Sequence, residues 1–374
     1  MTPTSRRFLA LDVFRGLAMA LMILVNSPGS WAYAYDPLKH AAWHGFTAAD
    51  LVFPSFLFAV GTALSFSMDK FRGHHNVEVL FSILKRTSLL FLLGFFMHWY
   101  PFFQVVDGSI HPFPISETRI FGVLQRIALC YGVVATLLWF AGERMSYILG
   151  GLGLLGYWGA MALLGAPGDP YSLEGNVGLR VDLALIGPSH LYQGEGIPFD
   201  PEGLLSTLPA LANVLAGYAL GQWVRRRGSG PETLIKFLLL GGLSCIVAYG
   251  WDLLFPINKK LWTSSYVLWT VGLDLIAMSL LLALLPANST SRPVTQFFQI
   301  FGKNPLAIYL LSEILLVTLY VIPLQGTTVW PWVYATLFQP MGSALGSLGM
   351  AVGFMLICWG LGYGLHTKRW YWRV

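Results

Sequence analysis

The sequence predicts an all-α protein that crosses a membrane about ten times, with both termini in the cytoplasm. Its 374 residues are 55% hydrophobic and only 11% charged, whereas an ordinary soluble domain is roughly 25% charged. Apolar segments of about 20 residues, the length that spans a bilayer, alternate with short polar ones along the chain. We therefore expect residues 1–374 to form a single multi-pass domain embedded in the lipid bilayer.

Each predicted span is about long enough to cross the hydrocarbon core of roughly 30 Å. The first is preceded by Arg6 and Arg7, as in a signal peptide, but Asp12 and Arg15 interrupt its apolar run. No clean cleavage site follows, so we predict a retained helix. The spans are 9–29, 46–68, 82–103, 118–140, 146–165, 203–223, 234–255, 262–285, 297–323 and 341–365.

Lysine and arginine collect on alternate connections, and by the positive-inside rule that side is cytoplasmic. The same distribution accounts for the net charge of +5, so no nucleic-acid partner is predicted. The opposite side carries few cations: Lys39, Arg180, Lys259 and Lys260, with Arg119 at the outer end of the fourth predicted span.

Two extracytoplasmic connections, 101–117 and 166–202, are long and rich in Gly and Pro. Connections of this length without secondary structure of their own are usually functional or disordered. We expect both connections to fold over the extracytoplasmic opening of the helical bundle. The three cysteines lie in apolar runs without metal-ligand spacing, so neither a disulfide framework nor a metal site is predicted.

The stretch "KHAAWHGFTAAD" leads into the second span and carries the strongest candidate residue. His40 lies on the predicted outer side, where no apolar face would bury it. An imidazole that titrates near neutrality is the usual general base for an amine or hydroxyl. Thr47 and Asp50 are spaced as a capping box, so Asp50 is either a helix cap or a partner of His40.

Ionisable residues inside membrane spans are costly and are candidates for function. Asp12 and Arg15 are three positions apart on the first span, either as a structural ion pair or as part of a donor site. Asn26, near the outer end of that span, could orient a substrate or cap the helix.

The fourth predicted span opens with Arg119, Gln125 and Arg126. The two arginines are seven residues apart and would share a helix face, which favours binding of an anion such as phosphate. Pairing with Asp12 or Asp50 is the competing account. Glu202 begins the sixth span, where the helix dipole favours a carboxylate.

The ninth predicted span contains Lys303 and Asn304, followed by Pro305. A proline at this position predicts an interrupted helix that lines a cavity. No P-loop, GxGxxG, HExxH or GxSxG motif occurs, so nucleotide hydrolysis, zinc proteolysis and serine hydrolysis are unsupported. From the residues alone, a catalyst and a transporter both remain open.

Several segments together resemble the heparan-α-glucosaminide N-acetyltransferase family and its shorter bacterial members. The matching segments run in order from about residue 8 to 315, so the resemblance covers most of the chain. They are "LDVFRGLAMALMILVN", "LKHAAWHGFTAADLVFPSFLFAVG", "RIFGVLQRIALCY", "FDPEGLLSTLPA", "NKKLWTSSYVL" and "GKNPLAIYLLSE".

The resemblance implies transfer of acetyl from cytosolic acetyl-CoA to the amine of a terminal glucosamine across the membrane. It carries the catalytic role onto His40, with Asn26 and Asp50 as its positioning partners. Trp43, His44 and Glu202 would contact the acceptor, although His44 stands where we expect asparagine in the lysosomal enzyme. The donor would bind near Arg15, Arg119, Gln125, Arg126, Lys303 and Asn304.

The resemblance does not extend to the luminal amino-terminal domain of the lysosomal enzyme, so we expect a free amino sugar or short glycan as acceptor. It also implies a homodimer in a bacterial inner membrane. His40 could act as general base or carry the acetyl group itself. Two alternatives remain: a transporter of N-acetylglucosamine or a related sugar, and an O-acetyltransferase of an envelope polysaccharide.

Overall fold

The computed structural model describes residues 8–71, 73–106, 108–285 and 292–372. Within these ranges the chain forms a helical bundle with two short hairpins, as the all-α prediction requires; Arg6 and Arg7 lie outside the described residues. The helices are α1 Leu9–Asn26, α2 Ala48–Ser67, α3 Asn76–Trp99, α4 Val123–Phe140, α5 Gly142–Leu164, α6 Val177–Leu185, α7 Thr207–Arg227, α8 Pro231–Asp252, α9 Ser264–Leu284, α10 Pro293–Lys303, α11 Pro305–Val321, α12 Val329–Val333 and α13 Ser343–Thr367.

Eight helices of the described chain are long and apolar enough to span a bilayer, or nine if α10 and α11 form one bent span. The remaining predicted span, the sixth (203–223), corresponds to α7, which is a continuous helix but is more polar and ends in three arginines. Its 21 residues rise about 32 Å. Since it packs along α2 over much of its length, we place it in the bundle with the other spans.

In two pairs of helices, the backbone of one helix packs directly against the backbone of the other. A Cβ on Gly217 of α7 would lie 1.9 Å from the carbonyl oxygen of Phe58 in α2, and one on Gly61 of α2 would lie 1.8 Å from that of Val214. Only glycine permits such an approach. A similar contact joins α1 to α10, where a Cβ on Gly302 would meet the Asp12 carbonyl oxygen at 1.7 Å. These seams fix the inner helices that carry the candidate site.

The inner helices of the bundle are α1, α2 and α4, most of whose residues are buried. In α3, α5 and α8 only 17–22% of the apolar window is buried, as expected for helices that face lipid. Polar side chains on α1 and α2 are therefore held in the protein interior.

The predicted interruption of the ninth span is confirmed. Helices α10 and α11 meet at Asn304 with a bend of 79°. Asn304 Nδ2 donates to the carbonyl oxygen of Trp370 (2.9 Å), and its Oδ1 accepts from the backbone N–H of Trp372 (3.1 Å). The amide therefore ties the end of the described chain to the bend.

Both long connections have secondary structure of their own, which the sequence did not indicate. Residues 101–117 contain the antiparallel hairpin of β1 (Phe103–Val106) and β2 (Ser109–Pro112). Residues 166–202 contain α6. A second small hairpin, β3 (Pro323–Leu324) with β4 (Thr327–Thr328), follows α11.

Ion pairs sort the connections into two ends of the bundle. At one end, Arg226 in the last turn of α7 pairs with Glu143 in the first turn of α5 (2.8 Å). At the other end, Lys260 pairs with Glu195 (2.5 Å) and lies close to the His40 loop. We refer to these as the terminal end, which carries the start of α1 and the end of α13, and the His40 end.

Candidate functional site

The segment between α1 and α2 places His40 against the first turn of α2. Asp50 Oδ2 accepts hydrogen bonds from the backbone N–H groups of Thr47 (3.0 Å) and Ala41 (3.2 Å). Its other oxygen, Oδ1, lies 2.8 Å from Nδ1 of His40. The aspartate is therefore both the predicted helix cap and the partner of the imidazole.

The geometry fixes the orientation of the His40 ring. Asp50 is fully buried, whereas 36% of the His40 side chain is accessible. Because an ionised carboxylate only accepts, its hydrogen bond assigns the proton to Nδ1 and leaves Nε2 as the basic nitrogen. Such an imidazole can accept a proton or an acyl group at Nε2.

Lys259, from the connection between α8 and α9, lies directly beside this ring. Its Nζ is 2.9 Å from Nε2 and 3.0 Å from Nδ1 of His40, and 3.9 Å from Asp50 Oδ1. Burial lowers the pKa of the Lys259 ammonium, although the carboxylates of Glu202 and Asp50 oppose the shift. A cation is thus held next to the basic nitrogen.

His40 opens onto a cavity of about 430 Å³ at the His40 end of the bundle. The cavity brings together four predicted site residues from different parts of the chain, Asn26, His40, Arg119 and Glu202. Other polar side chains around it are Trp31, His98, Tyr192, Glu195, Lys259, Lys260, Tyr309 and Glu313.

Arg119 is engaged by two carboxylates at the rim of this cavity. Its guanidinium donates to Asp200 through Nε (2.8 Å) and Nη2 (2.7 Å), and to Glu202 through Nη2 (2.6 Å). Burial alone would lower the pKa of Arg119, but the hydrogen bonds and charges of the two carboxylates outweigh it and raise the pKa. The predicted pairing of this arginine with Asp12 or Asp50 is replaced by a pairing with Asp200 and Glu202.

Arg119 and Arg126 do not share a helix face, because α4 begins at Val123 and Arg119 precedes it. Arg126 is fully buried, donates to the carbonyl oxygen of Gly203 (3.1 Å) and to Ser206, and stacks over Trp262 at 4.8 Å. Its neighbour Gln125 is also fully buried. Neither residue is among those that line the cavity.

Trp43 and His44 lie beside the cavity rather than in its wall. The Trp43 indole donates to the carbonyl oxygen of Tyr171 (2.9 Å) and packs against Phe199. His44 Nδ1 lies 3.3 Å from Asn258 Nδ2. Burial lowers the pKa of His44, against the opposing charges of Asp169 and Asp252.

A second cavity, of about 540 Å³, opens at the terminal end. Lys303, at the end of α10, lies in its wall with Asp12 of α1. Gln296, Gln299 and His366 supply further polar groups. Arg15 is partly buried on α1, one turn from Asp12. The predicted donor-binding residues are therefore divided between the two ends of the bundle.

Sequence reasoning missed Lys259, Lys260 and Glu195 as members of the site. The adjacent lysines in "NKKLW" were a usable signal, since that side of the protein carries few cations. Tyr309 and Glu313 were visible as polar residues of a membrane helix, one turn apart on α11. Their position in the cavity depends on the bend at Asn304.

Comparison with known proteins agrees with these features. A family profile described as "Heparan-alpha-glucosaminide N-acetyltransferase, catalytic" matches residues 7–238, which include His40, Asp50, Arg119 and Glu202. The mouse heparan-alpha-glucosaminide N-acetyltransferase is 30% identical over 369 residues, covering 83% of this chain and 54% of the mouse protein. The human protein of that name is 31% identical over 365 residues, covering 82% of this chain and 53% of the relative.

The chain spans about half the length of these curated relatives. The profile nevertheless covers more than half of the chain, and the alignments extend over most of it. The chain belongs to the heparan-α-glucosaminide N-acetyltransferase family.

Proposed function

We propose that the protein is a transmembrane acetyltransferase that moves acetyl from cytosolic acetyl-CoA to the amine of glucosamine or a terminal glucosaminide on the extracytoplasmic side. The observation that carries the proposal is the buried Asp50 carboxylate, 2.8 Å from Nδ1 of a His40 ring that opens onto a cavity. Membership of the family supports the reaction class.

The orientation in the membrane follows from charge. The terminal end carries the cluster Arg225, Arg226 and Arg227 at the end of α7, together with Lys236 on α8. By the positive-inside rule this end is cytoplasmic, and His40 then faces the opposite compartment. The proposal assigns the protein to a bacterial inner membrane, as a homodimer.

In the proposed reaction, the thioester C–S bond breaks and an amide C–N bond forms. In the direct route, His40 Nε2 takes the proton of the attacking amine while the thiolate leaves. In the alternative route, Nε2 forms a bond to the acetyl carbon as the C–S bond breaks; the amine then displaces the imidazole, and the amine proton passes to the released Nε2. Asp50 serves both routes, because its carboxylate stabilises the positive charge that develops on the ring.

Lys259 supplies a positive charge that could stabilise the oxyanion of the proposed reaction. Its ammonium lies 2.9 Å from Nε2, so it must leave that nitrogen for the reaction to begin. A small rotation would let it donate to the acetyl carbonyl oxygen, where negative charge develops in acyl transfer. A donor directed at the developing oxyanion is usually one of the largest contributors to transition-state stabilisation.

The terminal-end cavity fits the polar part of the donor. Lys303 would hold a phosphate, with Gln296 and Gln299 as further hydrogen-bonding groups in the same wall. Arg119 lines the cavity at the opposite end of the bundle and Arg126 lines neither cavity, so both are weaker candidates. Helix α1 lines both cavities, at Asp12 and at Met22, about 15 Å apart along its axis. Acetyl-CoA supplies the activated acetyl thioester.

The test is acetyl transfer in proteoliposomes loaded with labelled acetyl-CoA, with glucosamine on the other side. We expect His40→Ala and Asp50→Asn to lower the rate at least about 100-fold. The control is His111→Ala, which changes an exposed histidine in β2. A wild-type rate in His40→Ala would overturn the mechanism.

The product separates the alternatives. A labelled amide, stable in mild alkali, supports N-acetylation, whereas an alkali-labile ester would indicate an O-acetyltransferase. Uptake of N-acetylglucosamine that needs no acetyl-CoA, without a labelled product, would indicate a transporter.

A further inference from the structure

Glu313 is a carboxylate of the membrane-embedded part of the cavity whose charge no neighbouring group balances. It lies on α11, one turn after Tyr309, and both side chains line the cavity that His40 opens onto. Among the described residues, neither a hydrogen-bond donor nor a cation contacts its carboxylate.

The other carboxylates at this site all have partners. Glu202 pairs with Arg119 (2.6 Å) and Glu195 with Lys260 (2.5 Å). Asp50, behind the cavity wall, is held by His40 and by backbone N–H groups. Within the described parts of the chain, Glu313 is therefore the cavity carboxylate that remains available to a ligand.

An isolated carboxylate within a membrane span is costly and usually marks a ligand or ion pathway. A cationic ligand is the partner that would stabilise it, because a charge-assisted hydrogen bond replaces the lost hydration. The acceptor of the proposed reaction carries such a cation, since the amine of an amino sugar is protonated near neutral pH. A hydroxyl acceptor does not.

We propose that Glu313 binds the ammonium group of the acceptor and makes the site selective for amino sugars over neutral sugars. The inference rests on the proposed function for the identity of the acceptor. It adds a specificity-determining residue that lies outside the part of the chain matched by the family profile, residues 7–238. Tyr192 and Glu195 line the cavity from the connection 166–202 and Glu313 lines it from within α11, so the acceptor would enter past the connection and reach Glu313 between the helices.

The first experiment is calorimetric titration of the full-length protein in detergent with glucosamine and with glucose. We expect the wild type to prefer glucosamine, and Glu313→Gln to weaken glucosamine binding about 10- to 100-fold without changing the weak binding of glucose. Glu313→Asp, which keeps the charge, should retain part of the preference. The matched control is Glu117→Gln, which changes an exposed glutamate at the same end of the protein.

The second experiment uses the wild-type protein, so it does not depend on whether a variant folds. A hydrophobic carbodiimide should label Glu313 in the wild type, and glucosamine should protect it where glucose does not. Equal protection by both sugars, or unchanged glucosamine affinity in Glu313→Gln, would overturn the inference. Failure of the proposed function is seen separately, as absence of acetyl transfer from acetyl-CoA by a wild-type protein that still binds glucosamine through Glu313.

Discussion

Lys259 and His40 are 219 positions apart in the chain, yet the lysine ammonium lies within 3.0 Å of both nitrogens of the imidazole ring. The contact joins the connection before α9 to the connection before α2, the two helices that share the buried core around Tyr266. It brings together a base and a cation, the two groups that the proposed acetyl transfer uses.

Replacing Lys259 with methionine should lower kcat for acetyl transfer by about 10²–10³, because a donor aimed at the developing oxyanion is lost. Lysine to arginine should retain part of the activity, since the charge remains but its position changes. Steady-state kinetics in detergent give the measurement.

The control for this variant is Lys39→Met, which removes a lysine paired with the exposed Asp36. A Lys259→Met protein with a kcat close to that of the wild type would show that the ammonium has no part in the reaction.

Replacing Arg119 with methionine should lower the free energy of unfolding, in addition to any effect on catalysis. Asp200 and Glu202 would remain largely buried without their cation, and breaking a buried pair from one side costs about 3–5 kcal/mol. Thermal unfolding in detergent measures the loss.

The triple variant Arg119→Met, Asp200→Asn, Glu202→Gln should recover part of this stability, because no uncompensated charge remains. Arg180→Met, at an exposed position of α6, is the control. If Arg119→Met unfolds at the same temperature as the wild type, the ion pairs contribute nothing measurable.

Asp182, on α6, should make stability depend on pH. Burial raises its pKa from 3.8 to about 6, although a hydrogen bond from the Leu204 N–H opposes the shift. The folded state therefore holds this proton more tightly than the unfolded chain. The stability it contributes is present below about pH 4 and is lost as the pH rises through about 6.

In Asp182→Asn the ionisation is removed, and the amide oxygen can still accept from Leu204. We expect the variant to exceed the wild type by about 3 kcal/mol at neutral pH, with the difference shrinking toward pH 4. Unfolding midpoints across this range provide the measurement, with Asp169→Asn as an exposed control. A difference that does not vary with pH would contradict the assignment.

The local features of the site could be predicted from the sequence. The spacing of Thr47 and Asp50 indicated a helix start, and the position of His40 outside any apolar face indicated an accessible imidazole. The choice between cap and partner for Asp50 could not be made, because it depends on where each carboxylate oxygen points. In the structure, one oxygen serves each role.

Long-range features could not be predicted in the same way. The shared face of Arg119 and Arg126 assumed a helix from residue 118, but α4 begins at Val123. The partners of Arg119 come from another connection, and Lys259 meets His40 only because α2 and α9 pack together. One chain contains no direct signal for such contacts.

The glycine seams between α2 and α7 and between α1 and α10 bear on the choice between the proposed transferase and a carrier. A carrier that alternates its access rotates or slides one group of helices against another, which requires an interface that can open. Here Gly61, Gly217 and Gly302 bring backbones into direct contact, and such interfaces separate only at the loss of close packing. The fold therefore favours a stationary frame, which suits the proposed reaction, in which a small acyl group crosses while the sugar stays on its own side.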